Sequence, residues 1–191
     1  TETTLLLPYL GEALRETERT LHEERRIRAG VVGHESTYSV RDVNGRWQPI
    51  ETRRGEAQEV GASERIDDET IQRLDVNGKL VDDERTVTRS TSENARESAV
   101  IETYTRADGR LVLSQRVQRT TTQTPDGGRY VVEEVEGRNP VAPNDPLRVI
   151  GRIVTTVRPV RSAGWITEQE VFERDVNGRL LLVDRELTTS S

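Results

Sequence analysis

Asp42-Val43-Asn44-Gly45 is the stretch that decides the fold, because the same four residues return at 75–78 and at 175–178. A degenerate form, Asp108-Gly109, lies between the second and third copies. The glycines at 45, 78 and 109 are 33 and 31 residues apart, and the one at 178 follows 69 residues later. Asn-Gly or Asp-Gly between extended runs is typical of a two-residue hairpin turn in which both residues adopt positive φ. The spacing predicts tandem two-stranded units of ~33 residues.

The runs between these turns are rich in Val, Thr and charged residues and predict strands. The predicted strands cover 34–43 and 46–54, 64–75 and 79–90, 98–107 and 110–123, 129–137 and 147–158, and 165–174 and 179–189. Polar loops are predicted at their other ends, at 55–63, 90–97, 124–128 and 159–164. The predicted fold is all-β: an extended antiparallel meander of about ten to eleven strands, forming one repeat domain over residues 12–191.

Residues 12–29 are harder to assign. Leucines at 10, 14 and 21 have the spacing of an amphipathic helix. However, Glu18-Arg19-Thr20 matches Glu84-Arg85-Thr86, which follows a turn in the repeat. We favour a strand and keep a short N-terminal helix as the alternative.

The first eleven residues form a separate segment. A short apolar strand, Thr3–Leu7, is ended by Pro8. Such a strand, detached from the repeats, is a candidate donor strand for a neighbouring molecule.

The hairpin interpretation makes a testable prediction about register. With two-residue turns, opposite charges and apolar residues face each other, and each such pair contributes about 0.2–1 kcal/mol. The predicted pairs are Glu35 with Arg54, Arg73 with Asp82, Val100 with Val117, Tyr104 with Leu113, Glu170 with Arg185, and Phe172 with Val183.

Apolar residues do not keep to one face of the predicted strands. In 179–189, Leu180 and Leu182 alternate with Leu181, Val183 and Leu187. A sheet with one buried face shows a cleaner alternation. Only 32% of the chain is hydrophobic, with one Phe and two Trp, so a thick core is not expected.

Composition also excludes classes of partner. A net charge of −6 argues against a nucleic-acid-binding protein, which needs a basic surface. There is no Cys, and hence no disulfide framework. Leu5-Leu6-Leu7 is too short for a membrane span. Because the chain contains no Met and starts at Thr1, we expect an exported protein, extracellular or on the cell surface after removal of a leader.

No catalytic, cofactor or metal site is predicted, and the chain is not expected to be an enzyme. A cation follows the Gly of each Asp-Val-Asn-Gly copy, where a calcium loop needs a ligand. His22 and His34 lack partners at metal-ligand spacing. The acidic clusters 67–69 and 82–84 are interpreted as solvated, paired surface.

Asp-Val-Asn-Gly-Arg-Leu at 175–180 and Ala-Asp-Gly-Arg-Leu at 107–111 resemble the hairpin turns of bacterial YD-repeat (RHS-type) proteins. That resemblance implies an extracellular β-structure built from hairpins. The Tyr that precedes the turn in that family is absent, and the period differs. The whole chain is also similar to uncharacterised secreted bacterial proteins with tandem Asp-Val-Asn-Gly-Arg-Leu hairpins.

An open meander has two edge strands with unpaired backbone groups, and edges are normally blunted by Pro, Lys or bulges. We expect the first and last strands to pair between copies, making a homopolymeric extracellular filament. The predicted interface residues are Thr3, Leu5, Leu7, Leu180, Leu182, Val183 and Leu187. The predicted structural turn residues are Asn44, Gly45, Asn77, Gly78, Asp108, Gly109, Asn177 and Gly178.

The alternative function is a surface adhesin or carbohydrate-binding module. Its stacking platforms would be Trp47, Trp165, Tyr38 and Tyr104, aligned on one exposed face. Glycans are therefore the second predicted partner.

Overall fold

The computed structural model describes residues 2–6, 15–138, 145–160 and 164–190, and these contain twelve strands and no helix. The strands are β1 (Glu2–Leu6), β2 (Arg15–Arg28), β3 (Val31–Arg41), β4 (Trp47–Val60), β5 (Glu64–Leu74), β6 (Leu80–Glu93), β7 (Arg96–Ala107), β8 (Arg110–Gln123), β9 (Arg129–Gly137), β10 (Arg148–Val160), β11 (Gly164–Arg174) and β12 (Leu180–Ser190).

The strands are hydrogen-bonded in sequence order, from β1 to β12. This confirms the predicted all-β antiparallel meander. The helical alternative for the N-terminal region is wrong, because Arg15–Arg28 is a strand paired with β3. The strands are also longer than predicted: β4 continues to Val60 and β6 to Glu93, so most of 55–63 and 90–97 is strand.

Each Asp-Val-Asn-Gly copy forms a three-residue loop. In the first copy the N–H of Asp42 donates to the carbonyl of Arg46 at 2.9 Å, and the N–H of Gly45 donates to the carbonyl of Asp42 at 2.9 Å. The Asp42 carboxylate accepts the N–H groups of Asn44 and Arg46 at 2.9 and 2.8 Å. The copies at 75–79 and 175–179 repeat these bonds. The Asp side chain thus holds the loop closed through two backbone amides.

The prediction that both turn residues have positive φ is wrong for these three loops. Gly45, Gly78 and Gly178 have positive φ, of 77°, 74° and 83°, but the Asn before each of them does not have positive φ. This is the pattern of a type I turn followed by a left-handed glycine. At the degenerate copy the prediction is confirmed, with Asp108 at 50° and Gly109 at 79°.

The extra loop residue is compensated by a bulge in the outgoing strand. Ser39 pairs with Pro49 but Tyr38 pairs with Glu51, which leaves Ile50 as the extra residue. In the last hairpin, Phe172 pairs with Leu182 and Val171 with Asp184, so Val183 is extra. A bulge of this kind shifts the pairing by one residue.

The bulges explain which register predictions succeed. The pairs Glu35 with Arg54 and Glu170 with Arg185, beyond the bulges, are confirmed. Before the bulge, Phe172 faces Leu182, so its predicted pairing with Val183 is wrong. Likewise Asp82 is bonded by Gln72, at 2.7 Å, rather than by Arg73, which bonds Asp83 at 2.6 Å.

The chain divides into two compact units. Unit 1 comprises Thr1–Glu59, Asp67–Thr86 and Thr105–Val112, and unit 2 comprises Val60–Ile66, Val87–Tyr104 and Leu113–Ser191. In unit 1 the buried apolar side chains are Val31 and Ile71, and in unit 2 they are Val87 and Ala99. No large side chain is fully buried among the described residues. Each unit therefore relies on ladder hydrogen bonds and surface pairs more than on a thick core.

Cross-strand ion pairs cover much of the remaining surface. In unit 1, Arg73 bonds Glu51 at 3.0 Å and Asp83 at 2.6 Å. In unit 2, Arg116 bonds Glu102 at 2.9 Å and Glu136 at 3.3 Å. The planar guanidinium suits such forked contacts with two carboxylates.

Candidate functional site

The last strand, β12, has more exposed apolar side chains than any other described strand. Leu181, Leu182, Val183 and Leu187 are 51%, 50%, 53% and 65% exposed. β12 lies at one end of the strand order, with β11 as its neighbour. We refer to Leu180–Ser190 as the terminal edge.

The predicted interface residues fall on this edge and on β1. Leu182, Val183 and Leu187 are exposed, whereas Leu180 is half-buried. Leu181 is exposed but was not predicted as an interface residue. Its position in the apolar run Leu180–Val183 could have indicated it. In β1, Thr3 pairs with Arg19 and Leu5 with Glu16 of the same chain. Leu7 lies outside the described residues.

The terminal edge is partly blunted by its bulge. Val183 interrupts the pairing with β11, and a bulge twists an edge strand away from incoming strands. Beyond it, Asp184–Ser190 pairs with β11 without interruption. The stretch best suited to accept another strand is therefore 184–190, rather than the leucine run.

The cation of the terminal edge is directed to its own sheet. Arg185 bonds Glu168 through Nε at 2.8 Å and lies 3.8 Å from Glu170, both on β11. Hydrogen bonding to Glu168 raises the pKa of Arg185. Because this cation is neutralised from β11, it is poorly placed to repel a second strand.

The four aromatic residues proposed as stacking platforms do not share a face. Arg41 pairs with Trp47, and Tyr38 lies three residues before Arg41 on β3. Side chains alternate along a strand, so Tyr38 and Trp47 project from opposite faces of unit 1. The Trp47 ring is already contacted, by the guanidinium carbons of Arg19 at 4.5 Å and Arg41 at 4.9 Å from its centroid.

In unit 2 the aromatic residues have different surroundings. Trp165 is 44% exposed, and in the described part of the chain no cation lies over its ring. The hydroxyl of Tyr104 donates to Glu102 at 3.3 Å. Of these four aromatic residues, Trp165 is the exposed one.

A polar trough of about 480 Å³ lies in unit 1 and includes His34, Gly33, Gly55 and Arg54. Nε2 of His34 lies 3.2 Å from Oε2 of Glu69, and Asp68 is bonded by Arg85. In the acidic cluster 67–69, Asp68 is thus paired with a cation and Glu69 with an imidazole. Among the described residues, no three His, Asp or Glu side chains are arranged to hold a metal ion.

A second open cavity, about 450 Å³, lies in unit 2 beside Trp165. Its lining residues form a row across one face of the sheet, because Gln123 pairs with Arg129, Arg129 with Val157, and Val157 with Thr167. Trp165 lies two residues from Thr167, on the same face, and pairs with Ser190. Sequence reasoning missed this row, since it depends on the register of five strands.

Residues 124–128 join β8 to β9 at the Gln123 end of this row. They form a hydrogen-bonded turn, whereas an ordinary polar loop was predicted. The structure gives it the closure of the Asp-Val-Asn-Gly loops: the N–H of Gly127 donates to Thr124 at 3.0 Å, and that of Thr124 to Gly128 at 2.9 Å. Pro125-Asp126-Gly127 is a turn signal from which this closure could have been predicted.

No protein-family model matches the chain, and no curated protein matches it. Among solved structures, a protein of unknown function from Bacteroides fragilis NCTC 9343 is 10% identical, with 90% of this chain and 93% of that chain covered and a TM-score of 0.39. A porin-like protein from Bacteroides uniformis ATCC 8492 is 10% identical, with 91% and 95% covered and a TM-score of 0.23. At such low TM-scores neither likeness contributes to the functional argument. In the described part of the chain, no helix has the length and apolarity to cross a membrane.

Proposed function

We propose that this protein is the structural subunit of an extracellular filament, in which copies join head to tail by pairing of their edge strands. The observation that carries the proposal is the terminal edge: past Leu180 every described residue is exposed, and beyond the bulge residues 184–190 form a regular edge on which Leu187 is 65% exposed. Exposed strands with apolar side chains are templates for pairing with another chain.

A second copy is the occupant that fits this edge. Adding a strand satisfies the outward N–H and C=O groups and removes apolar surface from water at once, at roughly 25 cal/mol per Å². Neither lysine nor proline occurs in Leu180–Ser190 to oppose such pairing.

Strand direction supports continuation of the meander between copies. The described strand order contains twelve strands, an even number, so pairing β1 of the next copy antiparallel to β12 would continue the alternation of strand direction along the meander. A contact between two different surfaces is heterologous and propagates when its rotation does not close. Stability gained from neighbours would complement the thin cores of the two units.

Electron microscopy of the purified full chain tests this proposal. We expect concentration-dependent filaments, and we expect Leu187→Lys to raise the concentration at which they appear by at least tenfold. A charge in place of Leu187, which is 65% exposed, opposes strand addition. Val76→Lys, in a loop where Val76 is fully exposed, is the matched control and should assemble normally.

Two results would overturn the proposal. One is a monodisperse monomer at every concentration in the unmodified chain. The other is normal filament assembly by the Leu187→Lys variant, since the contact would then lie elsewhere.

A further inference from the structure

We propose that the row Gln123–Arg129–Val157–Thr167, together with Trp165 and Ser190, binds a saccharide. Saccharide binding is a separate function from the filament contact, although this Trp165 face shares Ser190 with the terminal edge. The proposal rests on the cavity of about 450 Å³ in unit 2. Its size falls within the range of about 300–1,000 Å³ that is typical of small-molecule sites.

The aromatic group is free to stack. Trp165 is 44% exposed, and Val157 beside it adds a half-buried apolar surface. Trp47, by contrast, is occupied by two guanidinium groups of its own unit. An indole offers a large, rigid apolar surface that suits the C–H face of a pyranose ring.

Polar groups surround the ring and are available. Within the described part of the chain, the side chains of Gln123, Arg129, Thr167 and Ser190 make no hydrogen bond or ion pair. An amide, a guanidinium and two hydroxyls provide both donors and acceptors. Sugar hydroxyls require such mixed partners around an apolar platform.

The turn at 124–128 keeps the face open. A Cβ at Gly128 would overlap the carbonyl oxygen of Val157 and lie 2.8 Å from Oγ1 of Thr124. Glycine is therefore required where the turn approaches β10, and no side chain from this position covers Val157. Four neighbouring strands place the row over roughly 14 Å, at ~4.8 Å per strand, which matches a short oligosaccharide.

Charge distinguishes a saccharide from other stacking ligands. A nucleic acid needs a run of cations along its backbone, but Arg129 is the single cation among the described residues that line this face, and the net charge of the chain is −6. Arg129 instead suits the hydroxyls of a neutral sugar or the carboxylate of a uronic acid.

Titration of soluble oligosaccharides into the full chain tests the inference, with cello-, chito-, xylo- and oligogalacturonide trimers as probes. Trp47→Phe leaves Trp165 as the sole tryptophan, so its fluorescence reports directly on the face. The Leu187→Lys background allows binding to be measured whether or not filaments form. Failure of this inference is thus distinguishable from failure of the filament proposal.

We expect at least one probe to shift Trp165 emission saturably, and Trp165→Ala and Thr167→Val each to weaken its binding at least tenfold. Selective loss of the oligogalacturonide in Arg129→Gln would identify an acidic sugar. The absence of a saturable shift with all four probes at millimolar concentration would overturn the proposal. So would retained affinity in a folded Trp165→Ala variant, verified by circular dichroism and measured by calorimetry.

Discussion

Nε2 of His34 lies 3.2 Å from Oε2 of Glu69, and the residue paired with His34 on the intervening strand is Gly55. Because Gly55 has no side chain, the imidazole of His34 can extend across β4 to Glu69 on β5. A Cβ built there would lie 2.9 Å from the carbonyl oxygen of Asp68 and closer still to the His34 ring. One glycine therefore permits a contact between residues 35 positions apart.

Gly55→Ala is expected to destabilise unit 1 by about 1–3 kcal/mol, because a methyl group must displace both a side chain and backbone. Urea unfolding followed by circular dichroism measures the change. Adding His34→Ala should recover only part of it, since the contact with Asp68 remains. Full recovery in the double variant would show that the ring alone is responsible.

Asp108→Ala should cost about 1 kcal/mol, because a left-handed conformation is unfavourable for a residue with a Cβ and no local hydrogen bond. Asn77→Ala is the matched comparison. Asn77 precedes a turn glycine as Asp108 does, but lacks positive φ, so we expect a smaller loss. Equal losses in chemical denaturation would contradict the distinction between the two turn types.

Glu102→Gln should reduce stability by about 1 kcal/mol at neutral pH, since a partly exposed ion-pair network contributes in that range. The carboxylate bonds Arg116 and Arg89 at 2.9 and 3.1 Å. The hydrogen bond from Arg116 lowers the pKa of Glu102, with Arg89 adding to it.

The sign of the acid response follows from that depressed pKa. The stabilisation is complete above the ordinary glutamate pKa of about 4.3 and is lost as pH falls through the lower folded value. The difference between the wild type and Glu102→Gln should therefore shrink below about pH 4. Glu173→Gln, at an exposed position, should show neither effect. A constant difference across this pH range would refute the assignment.

Gly128→Ala should be more destabilising than Gly137→Ala. At 128 the new Cβ meets the backbone of Val157, whereas at 137 it would lie 2.6 Å from Cδ1 of Ile150, the flexible end of a side chain. We expect more than ~2 kcal/mol against roughly 1 kcal/mol, the usual range for overpacking. The reverse order in thermal unfolding would contradict the geometry.

Turn chemistry made most of the architecture predictable. The Asp-Val-Asn-Gly copies and the degenerate Asp108-Gly109 located four of the hairpins, and opposite charges such as Glu35 and Arg54 fixed their distant register. The type of turn was harder to predict, because the same Asn-Gly pair occurs in two-residue and in three-residue loops. Here the preceding Asp, two residues before Asn, selects the longer loop through its carboxylate.

The sequence favoured a strand for β2 and the structure confirms it, whereas the Trp165 face lay beyond sequence reasoning. Leucine spacing in 12–29 was compatible with a helix, and pairing with β3 decides for a strand. Gln123 and Thr167 can be placed in one row across the sheet only after three successive pairings are known. No local pattern carries that information.

The bulges at Ile50 and Val183 have a consequence for how such chains can vary. Each lies four residues beyond the one that closes its loop, and restores the strand's inside-outside frame to that of a shorter loop. A hairpin with a three-residue loop and a bulge therefore has the same distant pairing, and the same side chains on each face, as a hairpin with a two-residue loop and no bulge. Deleting one loop residue together with the bulged residue would leave the distant pairs, such as Glu35 with Arg54, in phase.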